Sequence, residues 1–195
     1  MWDERYSADD YAYGTKPNDF LRSVVDKIPS GRVLCLAEGE GRNSVFLAEQ
    51  GYDVVAVDSS SVGLTKAKKL ASSRGVTITT ECKDLTEYTI PKESFDGIVS
   101  IFCHLPPTVR KSLHQKVVDG LKPGGVMILE AYTPEQLIYK TGGPPVEEMT
   151  MTLSGLKQEL SGLKFIHEKE LIREVVEGKF HTGTGAVVQV IAAKS

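Results

Sequence analysis

One stretch limits the fold more than any other: VLCLAEGEGRNSVFLAEQGYDVVAVDSS, Val33 to Ser60. Val33, Leu34, Cys35, Leu36 and Ala37 form a continuous apolar run, which is what a strand buried on both faces needs. A turn built on Gly39 and Gly41 follows. The next segment carries Val45, Phe46, Leu47 and Ala48 and reads as a helix that stops at Gly51, a residue suited to the left-handed stop position. "DVVAVD" is then a second buried strand, closed by Asp58. Two such strands with a helix between them pair in parallel through a right-handed crossover.

The alternation continues along the chain. Asn18 is suited to cap a helix with Phe20, Leu21, Val24, Val25 and Ile28 on one face. Ser59, Ser60 or Ser61 caps another, with Leu64, Ala67, Leu70 and Ala71 on one side. "VTITTECKD" and "FDGIVSIF" are a third and a fourth strand. Pro106 and Pro107 suit the start of a helix with Val109, Leu113 and Val117, and "KPGG" separates it from a fifth strand, "VMILEAYT". The ending differs. "TLSGLKQEL" is an amphipathic helix, and two strand candidates follow within 163–195, joined by "KFHTGTG". That link has no helical pattern, so the last pair is expected to be antiparallel. The expected fold is α/β: a three-layer, Rossmann-like arrangement with a mostly parallel seven-stranded sheet and a C-terminal antiparallel hairpin strand. At 195 residues the chain has the size of a single domain.

The net charge of −3 gives no general attraction to nucleic acid or anionic lipid. Three widely spaced cysteines, with no CxxC and no His/Cys cluster of zinc spacing, point to neither a disulfide framework nor a metal site. No apolar run reaches membrane-spanning length, and the acidic, aromatic N-terminus is unlike a signal or transit peptide. The expectation is a cytoplasmic protein, monomeric by default, without metal, nucleic-acid or membrane partners.

The glycine turn sits where nucleotide-binding units hold a phosphate, yet Glu38 and Glu40 flank Gly39. A carboxylate about 4 Å from a phosphate charge costs about 4 kcal/mol at an effective dielectric of 20. The dinucleotide pattern G-x-G-x-x-G is also incomplete, because Ser44 stands at its third small position. Both glutamates favour the N-terminus of the following helix, each by about 0.3–1 kcal/mol. Asp58, at the end of the second strand, is suited to accept bonds from ribose hydroxyls. An adenosine ligand without phosphate satisfies these demands. S-adenosylmethionine is one, and its sulfonium and ammonium groups are favoured by a nearby carboxylate. A nicotinamide-dependent oxidoreductase is the less favoured alternative.

These residues carry a resemblance. The chain resembles class I S-adenosylmethionine-dependent methyltransferases over nearly its full length. It is nearest the small tellurite-resistance-type enzymes, with thiopurine-type methyltransferases more distant. The family's first motif reads as a hydrophobic pair followed by Asp, Leu, Gly, Cys, Gly, x, Gly, against "VLCLAEGEG" here. Gly39 and Gly41 match, while Cys35 stands for the Asp, Ala37 for the first Gly and Glu38 for the Cys. "GRNSVFLAEQGYDVVAVDSS", the N-terminal "WDERY…YGTKPNDFL", "LKPGGVMIL" and the terminal hairpin are also similar.

The resemblance implies one methyltransferase domain over 1–195, with 1–17 as an aromatic lid segment and 163–195 as the β-hairpin. It implies methyl transfer from S-adenosylmethionine to a small-molecule acceptor, with release of S-adenosylhomocysteine. Cofactor contacts are implied at Ala37, Glu38, Gly39, Gly41, Asn43, Asp58, Ser59, Asp84, Leu85, Phe102 and Cys103. Asp58 would hold the ribose, Asp84 and Leu85 the adenine, and Phe102 and Cys103 the methionyl part. Glu38 would face the methionyl ammonium. Because Cys35 and Ala37 depart from the motif, a cofactor-binding relative without turnover is the alternative.

For the acceptor, His104 follows the fourth strand and is the first candidate for positioning or proton removal. Tyr132 ends the fifth strand on the same rim. Trp2, Tyr6, Tyr13 and His181 are candidate lid and substrate residues, with His181 in the hairpin loop. "HLPP" lacks the Asn/Asp-Pro-Pro-aromatic pattern of enzymes that methylate nucleic-acid base amines. "KAKK" at 66–69 reads as a solvated helix face, and Arg173 as a solvated strand charge, with contact to an anionic substrate as the alternative.

Overall fold

The computed structural model describes residues 2–195. One sheet of seven strands runs through the molecule: β1 (Arg32–Leu36), β2 (Asp53–Asp58), β3 (Thr79–Cys82), β4 (Phe95–Ile101), β5 (Leu121–Tyr132), β6 (Leu163–Glu177) and β7 (His181–Lys194). The helices are α1 (Trp2–Arg5), α2 (Asp19–Val24), α3 (Arg42–Glu49), α4 (Ser61–Ser73), α5 (Pro107–Gly120), α6 (Gln136–Tyr139) and α7 (Leu153–Glu159). The sheet order is β3-β2-β1-β4-β5-β7-β6. The pairs from β3 to β5 are parallel, and β7 lies antiparallel between β5 and β6. This is the mostly parallel sheet with one antiparallel strand that the alternating pattern implied.

The order has a direct cause. β1, β2, β4 and β5 are buried on both faces, so their residues are divided alternately between two cores. Leu34, Leu36, Val55, Val57, Ile98 and Leu129 pack on the side of α5 and α7. Val33, Cys35, Val54, Ala56, Val99 and Ile128 pack on the side of α2, α3 and α4. The crossover from β3 to β4 returns the chain to the other side of β1, so the strand order reverses beside β1 and the C-terminal ends of β1, β2 and β4 open a crevice there. Asn18, Ser60 and Thr152 cap α2, α4 and α7, each accepting from the backbone N–H three residues on. Such caps contribute about 1 kcal/mol each.

Two boundaries differ from the sequence reading. β3 covers Thr79–Cys82, because its side chains are at best half-buried at the sheet edge. β6 and β7 are long and turn tightly over 178–180, so His181 and Thr182 lie in a strand and not in a loop. Among the described residues no helix is long and apolar enough to cross a membrane.

Away from the crevice, Glu159 fastens α7 to α5. Its carboxylate accepts from Arg110 Nη2 at 2.9 Å and Nε at 3.1 Å, and lies 2.7 Å from His114 Nδ1. Burial raises this carboxyl, but His114 and Arg110 outweigh it and bring it down to about 2 from 4.5. A folded-state pKa below the unfolded one stabilises above the unfolded value, and the stabilisation is lost as pH falls through the folded one. Glu159→Gln should therefore flatten the acid limb of stability. In urea melts between about pH 5 and pH 2, wild type should lose on the order of 2 kcal/mol more than the variant. Parallel acid limbs would contradict this account.

Candidate active site

The crevice is built around the turn after β1. Gly39 has φ of 61° and Gly41 of 93°, conformations that glycine adopts without strain. Both glycines also permit close packing. A Cβ on Gly41 would stand 2.6 Å from the Ala67 Cβ on α4, and one on Gly39 would stand 2.6 Å from the Tyr6 hydroxyl oxygen. Ala37 holds φ of 50°, where a side chain costs roughly 1–2 kcal/mol.

Asp58 ties this turn to the next helix. Its Oδ2 accepts the Gly39 N–H at 2.8 Å and its Oδ1 accepts the Ser60 N–H at 2.8 Å. Burial raises its carboxyl, partly offset by the Ser60 and Gly39 amides. Ser59 is exposed beside it, and Ser60 is the cap of α4.

Both glutamates of the turn have partners inside the protein. Glu38 Oε1 accepts the Asn43 N–H at 3.1 Å and the Ser44 N–H at 2.6 Å. The protein's own carboxylate thus fills the anion position at the start of α3, where a pyrophosphate would otherwise bind. Burial pushes Glu38 up to about 7 against the pull of those amides. Glu40 Oε2 accepts the Ala12 N–H at 2.7 Å, and the carboxylate pairs with Lys66. Glu38, expected to face a methionyl ammonium, is instead engaged by the amides at the start of α3. A phosphate is disfavoured here because Glu38 already occupies the helix N-terminus.

Other residues divide between internal roles and the crevice. Asn43 Oδ1 accepts the Asn18 N–H at 2.9 Å, so it secures the segment before α2. Asp84 Oδ1 accepts the Thr86 N–H at 2.8 Å and caps its own turn. Leu85 and Cys103 are buried members of the core, and burial pushes the Cys103 thiol up to about 12. Phe102 remains half-buried with φ of 51°.

The structure brings the aromatic candidates together. Phe102 stacks on Tyr132 at 4.5 Å, and His181 stands edge-on to Phe102 at 4.9 Å and to Tyr132 at 5.4 Å. Tyr13 covers His181 at 4.7 Å, and Tyr6 meets Tyr13 at 6.4 Å. Trp2 stacks on Tyr6 at 5.8 Å but is itself exposed at the rim. The cluster joins the N-terminal segment to the C-terminal ends of β4 and β5 and the start of β7. Tyr132 is 1% exposed, and burial raises its phenol, which keeps its proton.

The two histidines differ in how their ring nitrogens are engaged. His104 Nδ1 lies 2.9 Å from the Met149 carbonyl, and its Nε2 accepts the Tyr132 N–H at 3.2 Å. A carbonyl only accepts and an N–H only donates, so this imidazole is a neutral brace with both nitrogens engaged. Burial lowers it to about 4. His104 as a proton acceptor is therefore corrected. His181 Nδ1 is buried without a hydrogen-bond partner and lies 3.9 Å from Glu177 Oε2. Burial also lowers His181, against the pull of Glu177, so its ring is neutral at neutral pH.

Behind His181 is a polar group that sequence reasoning missed. Glu177 accepts from Arg42 Nη2 at 2.6 Å and from Asn18 Nδ2 at 2.7 Å. Burial raises its carboxyl, but His181, Arg42 and Asn18 outweigh it and bring it to about 2. Glu130 is 0% exposed and accepts from Asn18 and Gln189, while Arg173 pairs with it. Arg173 is thus a partner of buried carboxylates and not a solvated charge. The available signal was Glu130 in "VMILEAYT": a carboxylate amid a doubly buried strand must find partners.

The family described as a methyltransferase domain matches residues 33–125, from β1 through the glycine turn, Asp58 and β4 into β5. A probable thiol methyltransferase 2 of Arabidopsis thaliana is 29% identical over 140 residues, 68% of this chain and 59% of that protein. The chain spans 33% to 59% of the length of the first curated relatives it matches. Among solved structures, TehB from Haemophilus influenzae aligns with a TM-score of 0.75 and 20% identity, over 100% of this chain and 66% of that one. N-methyltransferase NodS from Bradyrhizobium japonicum WM9, in complex with S-adenosyl-L-homocysteine, aligns with a TM-score of 0.73 and 14% identity, over 99% of this chain and 96% of that one. At these identities the likeness to solved structures is one of fold. Sheet order, motif sequence and family match agree: residues 33–125 match a methyltransferase domain, and the chain has the fold of the S-adenosylmethionine-dependent methyltransferases among the solved structures.

Proposed function

We propose that the chain transfers a methyl group from S-adenosylmethionine to a small protic acceptor held against Tyr13, Phe102, Tyr132 and His181. The observation that carries this reading is the convergence of that cluster with the glycine turn and Asp58 at the same end of the sheet. The similarity to a thiol methyltransferase supports a small acceptor.

The residues present fit the cofactor. Each Asp58 oxygen accepts one amide, and a carboxylate offers about four acceptor positions, so two remain for ribose hydroxyls. Arg42 and Lys66, the cations beside the turn, are paired with Glu177 and Glu40, which leaves neither free for a pyrophosphate. When bound, S-adenosylmethionine supplies an electrophilic methyl on a sulfonium. The turn from Ala37 to Gly41, with Ser59, Asp84 and Leu85, would surround the adenosine, and Phe102 and Cys103 the methionyl part. Aromatic faces then align the acceptor, and alignment supplies about 7–11 kcal/mol of barrier lowering in favourable cases. His181 is the group that takes the acceptor's proton, with the Glu177 carboxylate 3.9 Å from its Nδ1 to favour the imidazolium that forms.

Asp58→Ala should weaken S-adenosylhomocysteine binding at least tenfold in calorimetry, as the loss of a charged hydrogen-bond acceptor implies. Unchanged affinity in a folded variant would refute the ribose role. For His181, single-turnover transfer to a panel of thiols, phenols and amines is the measurement. His181→Gln should lower the rate by about 10²-fold or more. The wild-type rate should fall as pH drops through a value below 6.5, because the base must be neutral and burial lowers its pKa. A variant with the wild-type rate and pH profile would exclude the role.

A further inference from the structure

We propose that Lys66 and Glu40 form a latch that holds the N-terminal strap, residues 2–13, over the cofactor crevice, making Lys66 a positioning residue for cofactor retention. The inference rests on the cofactor reading above. It starts from an ammonium in an unusual place. Lys66 Nζ donates to the carbonyls of Ala8 at 2.9 Å and Asp10 at 2.6 Å, and lies 3.4 Å from that of Tyr6. Its fourth neighbour is the Glu40 carboxylate, and the Tyr11 ring lies 4.9 Å away. The Lys66 side chain is 12% exposed, whereas Lys68 and Lys69 of the same run are exposed.

Besides Lys66 Nζ, the middle of the strap is held by the Tyr11 hydroxyl, which donates to the Lys66 carbonyl at 3.3 Å, and by an exposed pair between Asp10 and Lys179. α1 buries no residue, and 7–11 contain no regular structure. The first end is fixed by Asp3, whose Oδ1 accepts from Ser60 Oγ at 2.5 Å and from the Val62 N–H at 3.3 Å. The far end meets the β6–β7 turn, where the Lys179 N–H donates to the Ala12 carbonyl at 3.0 Å, and Arg5 at the first end reaches Phe180 of the same turn at 4.9 Å. Between these points the strap carbonyls converge on one cation.

The coupling to the crevice is covalent on one side and steric on the other. Glu40 lies within the glycine turn and accepts the Ala12 N–H, so the same carboxylate holds both the strap and Lys66. Tyr6, carried by the strap, is 5% exposed and presses on Gly39 and Gly63. Release of the middle of the strap lifts Tyr6 from the turn and opens the path by which a cofactor leaves.

Two measurements test this. Amide hydrogen exchange of residues 6–12 is followed in the free protein, and S-adenosylhomocysteine release is followed by stopped flow. Lys66→Met should speed both by about tenfold or more, the change expected when hydrogen bonds to a charged group are lost. Glu40→Gln should act in the same direction, and the double variant should add little to either single one. Lys69→Met, a change at an exposed neighbour, should alter neither measurement. If Lys66→Met does not fold, Glu40→Gln carries the same test. Unchanged strap exchange would overturn the latch, and faster strap exchange with unchanged release would overturn the coupling. A wild-type protein that binds neither cofactor form would overturn the reading beneath it. The exchange measurement needs no ligand and separates that failure from a failed latch.

Discussion

Two backbone amides meet on the carboxylate of Asp58, and the candidate site depends on that meeting. The Gly39 N–H comes from the turn after β1, and the Ser60 N–H from the cap of α4. One side chain thereby sets the relative position of a turn and a helix on neighbouring strands. The close packing of Gly41 on Ala67 and of Gly63 on the Gly39 carbonyl follows from the same placement. A side chain larger than hydrogen at Gly39 or Gly41 would separate the two elements and release Asp58. The spare acceptor capacity of Asp58 is what leaves this structural joint able to hold a ligand as well.

Around that joint the protein uses its own charges to shape the crevice. Glu38 occupies the N-terminus of α3, Glu40 and Lys66 fasten the strap, and Arg42 supports Glu177 behind His181. None of these charges is left open to a polyphosphate. The proposed acceptor site is lined instead by aromatic rings and by His181, whose imidazole burial holds below its ordinary value. A small neutral group that loses one proton suits such surroundings better than an anion.

The fold was legible because its determinants are local. Continuous apolar runs such as Val33–Ala37 and "DVVAVD" are short and bounded by turn residues, which reads as doubly buried strands, and the capping serines and glycines mark where helices begin and end. The short link near His181 ruled out a crossover, which placed the antiparallel strand correctly even though its turn is tighter than expected. The site was legible only in outline. Composition showed that Glu38 and Glu40 oppose phosphate, but the reason depends on Ser44, Ala12 and Lys66, two of them remote in sequence from the turn. His104 looked free because its partners, Met149 and Tyr132, are 45 and 28 residues away. Lys66 looked solvated because the strap carbonyls that receive its ammonium, those of Tyr6, Ala8 and Asp10, lie 60, 58 and 56 residues earlier. Long-range pairing of polar groups leaves little periodic trace, whereas burial of apolar ones does.

Calorimetric titration with S-adenosylhomocysteine, beside NAD(H) and NADP(H), tests the central claim most directly. The account predicts one-to-one binding of S-adenosylhomocysteine and of S-adenosylmethionine, with no specific heat from either nicotinamide nucleotide. Absence of binding by both adenosyl compounds at millimolar concentration, or a preference for a nicotinamide nucleotide, would contradict it.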